Sequence, residues 1–278
     1  MNRSRGWFEG VSRETGFRAD TLEKVTRLGE LAADREKMLG QRPEVERAAA
    51  SVAAAGGYRL QWSRSEHAGR KAYLRYLSTA GIADRIEVDL NFLHRVPLDP
   101  AITAELWQPG DAERPAVKVV GTADLVSGKL LASLDRAAPR DLYDVPRLPS
   151  IAGESWGVPR TRSLFVALAG TLAYPVHSYR PDRWERVTDR VVEEQLHPML
   201  QGSVRPKAAD LRDAAWAVVS PLLELTPAER EYTDRIQVGE LRPDLLFPDD
   251  EELATRVSRH PALLWKVENA KRHRKGRG

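Results

Sequence analysis

The residues best suited to chemistry are a strand carboxylate, Asp89, and a block running from Lys129 to Asp144. In the run Arg85 to Leu93, Ile86, Val88, Leu90 and Phe92 alternate with Glu87, Asp89 and Asn91. Successive strand side chains point to opposite faces, so this pattern predicts one apolar and one acidic face. Carboxylates fixed on a rigid strand can hold Mg²⁺, which prefers oxygen ligands in an octahedral shell. A half-solvated antiparallel strand shows the same alternation without any metal, and the pattern alone leaves both readings open.

The second block holds Lys129, Arg136, Arg140, Asp141 and Asp144. Pro139 opens a helical turn, since its missing N–H is harmless there, which places Asp141 and Asp144 on one face at i and i+3. A lysine beside carboxylates can neutralise phosphate charge, the electrostatic task that dominates phosphoryl and nucleotidyl transfer. A surface ion-pair ladder has the same spacing. Two weaker features point to nucleic acid. The basic run Lys271, Arg272, His273, Arg274, Lys275 and Arg277 can bind phosphates through counterion release or be a solvated terminus. Trp62 and Tyr73 lie near Arg70, Lys71 and Arg75, which suits either core packing or a stacking and phosphate-binding strand surface.

Other chemistries are excluded. The chain has no cysteine, which removes disulfides, thiol catalysis and thiolate-ligated metals. None of the 6 histidines has a helical i, i+4 partner of the zincin kind, and each is expected to be structural or exposed. No P-loop, dinucleotide-binding glycine turn or G-x-S-x-G elbow occurs. With 43 basic and 40 acidic residues the net charge is only +3, so any nucleic-acid contact would be local.

The elements that must position these residues follow from periodicity. Leu22, Val25, Leu28 and Leu31 mark a helix from Asp20, its expected N-cap. A second helical pattern, interrupted near Gly40 to Pro43, runs from about Asp34 to Ala55 and stops at Gly56 and Gly57. Tyr58 to Arg64, Arg70 to Ser78 and Arg85 to Leu93 read as antiparallel strands and Ala116 to Val120 as another. Thr122 is placed to cap a helix reaching Arg136, with Asp124 in its first turn. Beyond Pro149 the patterns are helical: Arg160 to Ala173, Asp182 to Met199, Lys207 to Leu225, Pro227 to Ile236 and Asp249 to Glu268. The apolar stretch Leu164 to Val176 is too short to cross a bilayer and reads as a buried helix. Met1 to Gly10 lack an apolar run of signal-peptide length, so a cytoplasmic location is expected.

In order along the chain, Thr21-Leu22-Glu23-Lys24-Val25, Glu66-His67-Ala68-Gly69-Arg70-Lys71, Glu87-Val88-Asp89-Leu90-Asn91-Phe92, Gly128-Lys129-Leu130 and Arg140-Asp141-Leu142-Tyr143-Asp144 resemble the AbiEii/AbiGii nucleotidyltransferase toxins. The resemblance implies an α+β fold: a polymerase-β-like core with a mixed sheet and helices over residues 1–150, then a helical C-terminal domain over 151–270 and a flexible basic tail over 271–278. It implies a toxin of a toxin–antitoxin or phage-defence system, using Mg²⁺ and a nucleoside triphosphate, with an antitoxin partner and in some members transfer RNA as acceptor. Asp89 would then be the carboxylate near the metal or attacking hydroxyl, Lys129 the phosphate-binding lysine and Asp141 the motif aspartate. Arg136, Arg140 and Asp144 would support them.

The sequence departs from that pattern in one block. Family members carry a Gly-Gly-Thr loop and a strand ending in Asp-x-Asp after the N-terminal helix. Here Leu31 is followed almost at once by Ala33-Asp34-Arg35-Glu36, and neither motif occurs, which leaves the core truncated by roughly thirty residues, the length of a helix end, loop and strand. Paired carboxylates clamp two ions on attacking and leaving oxygens, and one aspartate does not replace them. The sequence thus supports nucleotidyl transfer to an acceptor such as tRNA and, as the alternative, a catalytically dead relative that binds only an antitoxin or RNA.

Overall fold

The computed structural model describes residues 3–24, 42–64, 69–94 and 96–275. As the sequence predicts, they form an α+β protein, with small antiparallel sheets and helices followed by a largely helical region. The chain divides into two compact units. The first comprises Met1–Phe92, Ile102–Val119 and His197–Arg205; the second comprises Leu93–Ala101, Val120–Leu196 and Pro206–Gly278.

The first unit opens with a helix that periodicity did not reveal, α1 (Arg5–Thr15). The Ser4 hydroxyl accepts the Trp7 amide at its start, and Gly16, at φ 73°, closes it in the left-handed conformation glycine favours. Its Phe8 and Val11 pack with Leu22. Residues 19–24 are helical, so Asp20 sits inside that helix rather than capping it, its carboxylate taken by Arg18 at 2.9 Å. The remainder of the expected helix, to Leu31, and the start of the next, from Asp34, lie outside the described residues. Helix α2 (Arg42–Ala55) stops at Gly56 and Gly57 as predicted.

The chain then forms a three-stranded antiparallel sheet, β1 (Arg59–Trp62), β2 (Gly69–Leu77) and β3 (Ala83–Asn91), in that order. Leu74 and Ile86, from neighbouring strands, are buried with Ala53 of α2 and Tyr58, and Leu60, Tyr76 and Val88 pack around them. The alternation in β3 therefore has the predicted phase, with Arg85, Glu87 and Asp89 on the open face. A second antiparallel pair joins β4 (Ile102–Glu105), which the sequence did not show, to β5 (Ala116–Val119).

In the second unit, α3 (Thr122–Asp135) begins one residue after its N-cap, Gly121, so Thr122 is not the cap. One orphan amide there is satisfied from a distance, and the first turn returns the contact. Asp99 accepts the Ala123 amide at 3.2 Å, while Asp124 accepts those of Leu98 at 2.9 Å and Asp99 at 3.0 Å. A Cβ on Gly121 would collide with the Asp99 carboxylate and the Pro100 carbonyl. Burial pushes the Asp124 carboxyl up from its ordinary value.

The later helices are shorter than the sequence patterns suggest. After α4 (Pro139–Asp144), α5 (Leu148–Ala152) and α6 (Pro159–Ala169), the expected helix Asp182 to Met199 breaks into a 3₁₀ turn, Pro181–Trp184, and α7 (Asp189–Gln195). Thr188 caps α7 by accepting the Val191 amide. Then come α8 (Ala208–Val219) and α9 (Pro227–Gln237). The expected helix Asp249 to Glu268 is two, α10 (Glu251–Ser258) and α11 (Pro261–Lys275), because Pro261 cannot continue one helix but can begin another. Helix α11 takes in Lys271 to Lys275, the first part of the basic run. Leu164 to Ala169 are buried as predicted, and among the described residues no helix is long and apolar enough to cross a membrane.

Candidate active site

The block from Lys129 to Asp144 is assembled within the second unit. Val126, Leu130 and Leu134 put one face of α3 into the core at 0–1% exposure, which leaves Lys129 on the half-exposed flank. The helix ends at Arg136, whose amide, like that of Ala137, returns to the Ala132 carbonyl. Ala137 is buried with φ 46°, a left-handed conformation that is uncommon outside glycine. Pro139 then starts α4, and Leu142 and Val145, at 0% exposure, anchor it.

This sharp reversal carries Asp141 back to Arg136. Both carboxylate oxygens accept from the guanidinium, at 2.7 and 2.8 Å, and Oδ2 also accepts the Ala138 amide at 3.2 Å. Asp141 is only 1% exposed. It is therefore a fully engaged helix-start carboxylate, bidentate with arginine and satisfying an orphan amide. Asp144 faces a different cation and pairs with Lys129. Arg140 is exposed. Arg186 donates to the Arg136 carbonyl; a contact spanning 50 residues leaves no trace in spacing, and sequence reasoning missed it.

Asp89 lies on β3, in the first unit. Its side chain is 67% exposed, and Lys71 on the neighbouring strand meets it at 3.2 Å while also pairing with Glu87. The hydrogen bonds that Lys71 donates to Glu87 and then to Asp89 raise its ammonium above its ordinary value. The acidic strand face thus carries its own counter-charge.

The chemistry that the resemblance implies requires a divalent cation with several oxygen donors. The described residues do not fit one. Asp141 has spent both oxygens on Arg136 and the Ala138 amide, Asp89 and Glu87 share Lys71, and among the described residues no three of His, Asp and Glu gather as a donor set.

No curated protein and no solved structure is similar enough to this chain to match. The family model described as the nucleotidyl transferase AbiEii toxin of type IV toxin–antitoxin systems matches residues 21–220, a span that includes the three-stranded sheet and the whole Lys129 to Asp144 block. The chain belongs to the AbiEii nucleotidyltransferase toxin family of type IV toxin–antitoxin systems.

Proposed function

We propose that this chain is a non-catalytic member of its family, which keeps the toxin's folded frame as a binding partner for an antitoxin. The observation that carries this reading is the engagement of its carboxylates: Asp141 is held bidentate by Arg136, and Asp89 is paired with Lys71. The absence of an Asp-x-Asp pair from the sequence supports it. Nucleotidyl transfer needs carboxylates free to hold ions against the attacking and leaving oxygens, and here Arg136 and the Ala138 amide already take both oxygens of Asp141, the motif aspartate. The test is incorporation of labelled nucleotide into tRNA with each of the four triphosphates and Mg²⁺. No incorporation, no Mg²⁺-linked thermal shift on adding triphosphate, and a stable complex with the cognate antitoxin are expected. Mg²⁺-dependent incorporation would overturn the reading.

The second reading, transfer from a nucleoside triphosphate to an acceptor such as tRNA, is favoured by one observation. The Lys129 side chain is 42% exposed and Arg140, near the start of α4, is exposed as well, so two cations of this block are accessible to phosphate. In that case Lys129 and Arg140 bind phosphate, Arg136 orients Asp141, and Lys129→Ala abolishes incorporation.

A further inference from the structure

The open face of the first unit's sheet carries an unusual row. Pairing places Arg59 of β1 directly opposite Arg75 of β2, and Arg75 directly opposite Arg85 of β3. Side chains at directly opposed positions sit about 5 Å apart, and like charges there repel. The row spans about 10 Å, two inter-strand spacings. Among the described residues, only one long ion pair offsets it. Arg75 donates to the amide oxygen of Gln61 at 2.7 Å, and among the described residues the Arg85 guanidinium pairs with Glu87 alone, at 3.9 Å, and no carboxylate pairs with Arg59. Glu87 is already bound by Lys71. In the next row Tyr73 stands between Gln61 and Glu87, and the Arg85 guanidinium lies 4.8 Å from the centre of its ring.

The structure also divides the aromatic and basic residues that the sequence grouped together. Trp62 and Arg70 stack on each other at 4.7 Å, and Arg70 is bound by Glu46 of α2, so they belong to the helix-covered side. Lys71 is occupied by Glu87 and Asp89. Arg59, Arg75, Arg85 and Tyr73 remain on the open face.

We propose that this face binds the backbone of a single-stranded nucleic acid, with phosphates along Arg59, Arg75 and Arg85 and one unpaired base stacked on the flat Arg85–Tyr73 pair. The charge is complementary to a chain of phosphates. The planar guanidinium–aromatic platform distinguishes a nucleic acid from an acidic peptide, which has no base to stack on it. A duplex keeps its bases paired and forfeits that contact. The site goes beyond antitoxin binding and is independent of whether the chain transfers nucleotides.

The test is fluorescence anisotropy with a fluorescein-labelled ten-nucleotide RNA of mixed sequence, titrated at several salt concentrations. Each of Arg59→Gln, Arg75→Gln and Arg85→Gln is expected to weaken binding about tenfold, the loss of one charge-assisted contact. Each should also flatten the log–log salt slope by about 0.7. Tyr73→Leu should weaken binding while leaving the slope unchanged. Relief of cross-strand repulsion means that Arg75→Gln should hold or raise the melting temperature. If Arg75→Gln instead lowers it, through loss of the hydrogen bond to Gln61, Arg59→Gln supplies the binding comparison, and wild-type affinity in that variant overturns the proposal. The proposal is overturned if wild type does not bind, if the arginine variants bind like wild type, or if K271Q/R272Q/R274Q abolishes binding. Equal affinity for the matching duplex, or for a poly-glutamate peptide, overturns it as well.

Discussion

Two ion-pair clusters, one in each unit, make opposite use of similar residues. In the helical unit Asp141 is 1% exposed, meets one guanidinium with both oxygens and also accepts a backbone amide. On the sheet Asp89 is 67% exposed and shares Lys71 with Glu87. The first cluster fixes the path of the backbone between α3 and α4; the second merely balances charge on a solvated face. A motif aspartate is thus read differently once its partners are known. The buried one serves the architecture, and the exposed one is free to be exchanged.

The sharpest way to break this contrast lies in the motif itself. Leu142, next to Asp141 and 0% exposed, should cost about 3 kcal/mol when replaced by alanine, measured as a shift of the urea midpoint. If Leu142→Ala is tolerated, the block is not the architectural core described above. Asp141→Asn keeps the volume but loses the charge-assisted pair and should cost about 2 kcal/mol by the same measurement.

Acid provides the next test. Burial works to raise the Glu229 carboxyl, but the Arg162 guanidinium and the Thr226 amide outweigh it and hold it below its ordinary value of 4.5. A depressed carboxyl contributes stability above the unfolded value and loses it as pH falls through the folded one. The stability advantage of wild type over Glu229→Gln should therefore be full at pH 7 and shrink as pH drops below 4.5. An advantage that persists unchanged at pH 2 would show that packing, not charge, is responsible. The smallest effects belong to the exposed pairs: Asp89→Asn and Lys129→Gln should each stay within about 0.5 kcal/mol of wild type. A large loss for Asp89→Asn would erase the difference between the two clusters.

Local pattern made much of this legible in the sequence. Strand alternation placed Ile86 and Val88 on the core face and Glu87 and Asp89 on the other, and Gly56 and Gly57 marked the end of α2. Lys129 and Asp144, which the sequence groups in one block, form an ion pair. What stayed hidden depends on contacts between distant segments. Helix α1 is too short and mixed for periodicity to single it out, the capping of α3 comes from Asp99, and Arg186 reaches Arg136 across 50 residues. The arginine row was likewise invisible, because Arg59, Arg75 and Arg85 become neighbours only when the register of both strand pairs is known.

The close approach at Gly121 sets a rule for anyone diversifying this protein. The backbone there, at φ −59° and ψ 159°, suits any amino acid, yet Asp99 and Pro100 leave no room for even a methyl group. A saturation library at codon 121, sorted for folded protein, should return glycine alone, and alanine should fail although its torsion preferences are satisfied.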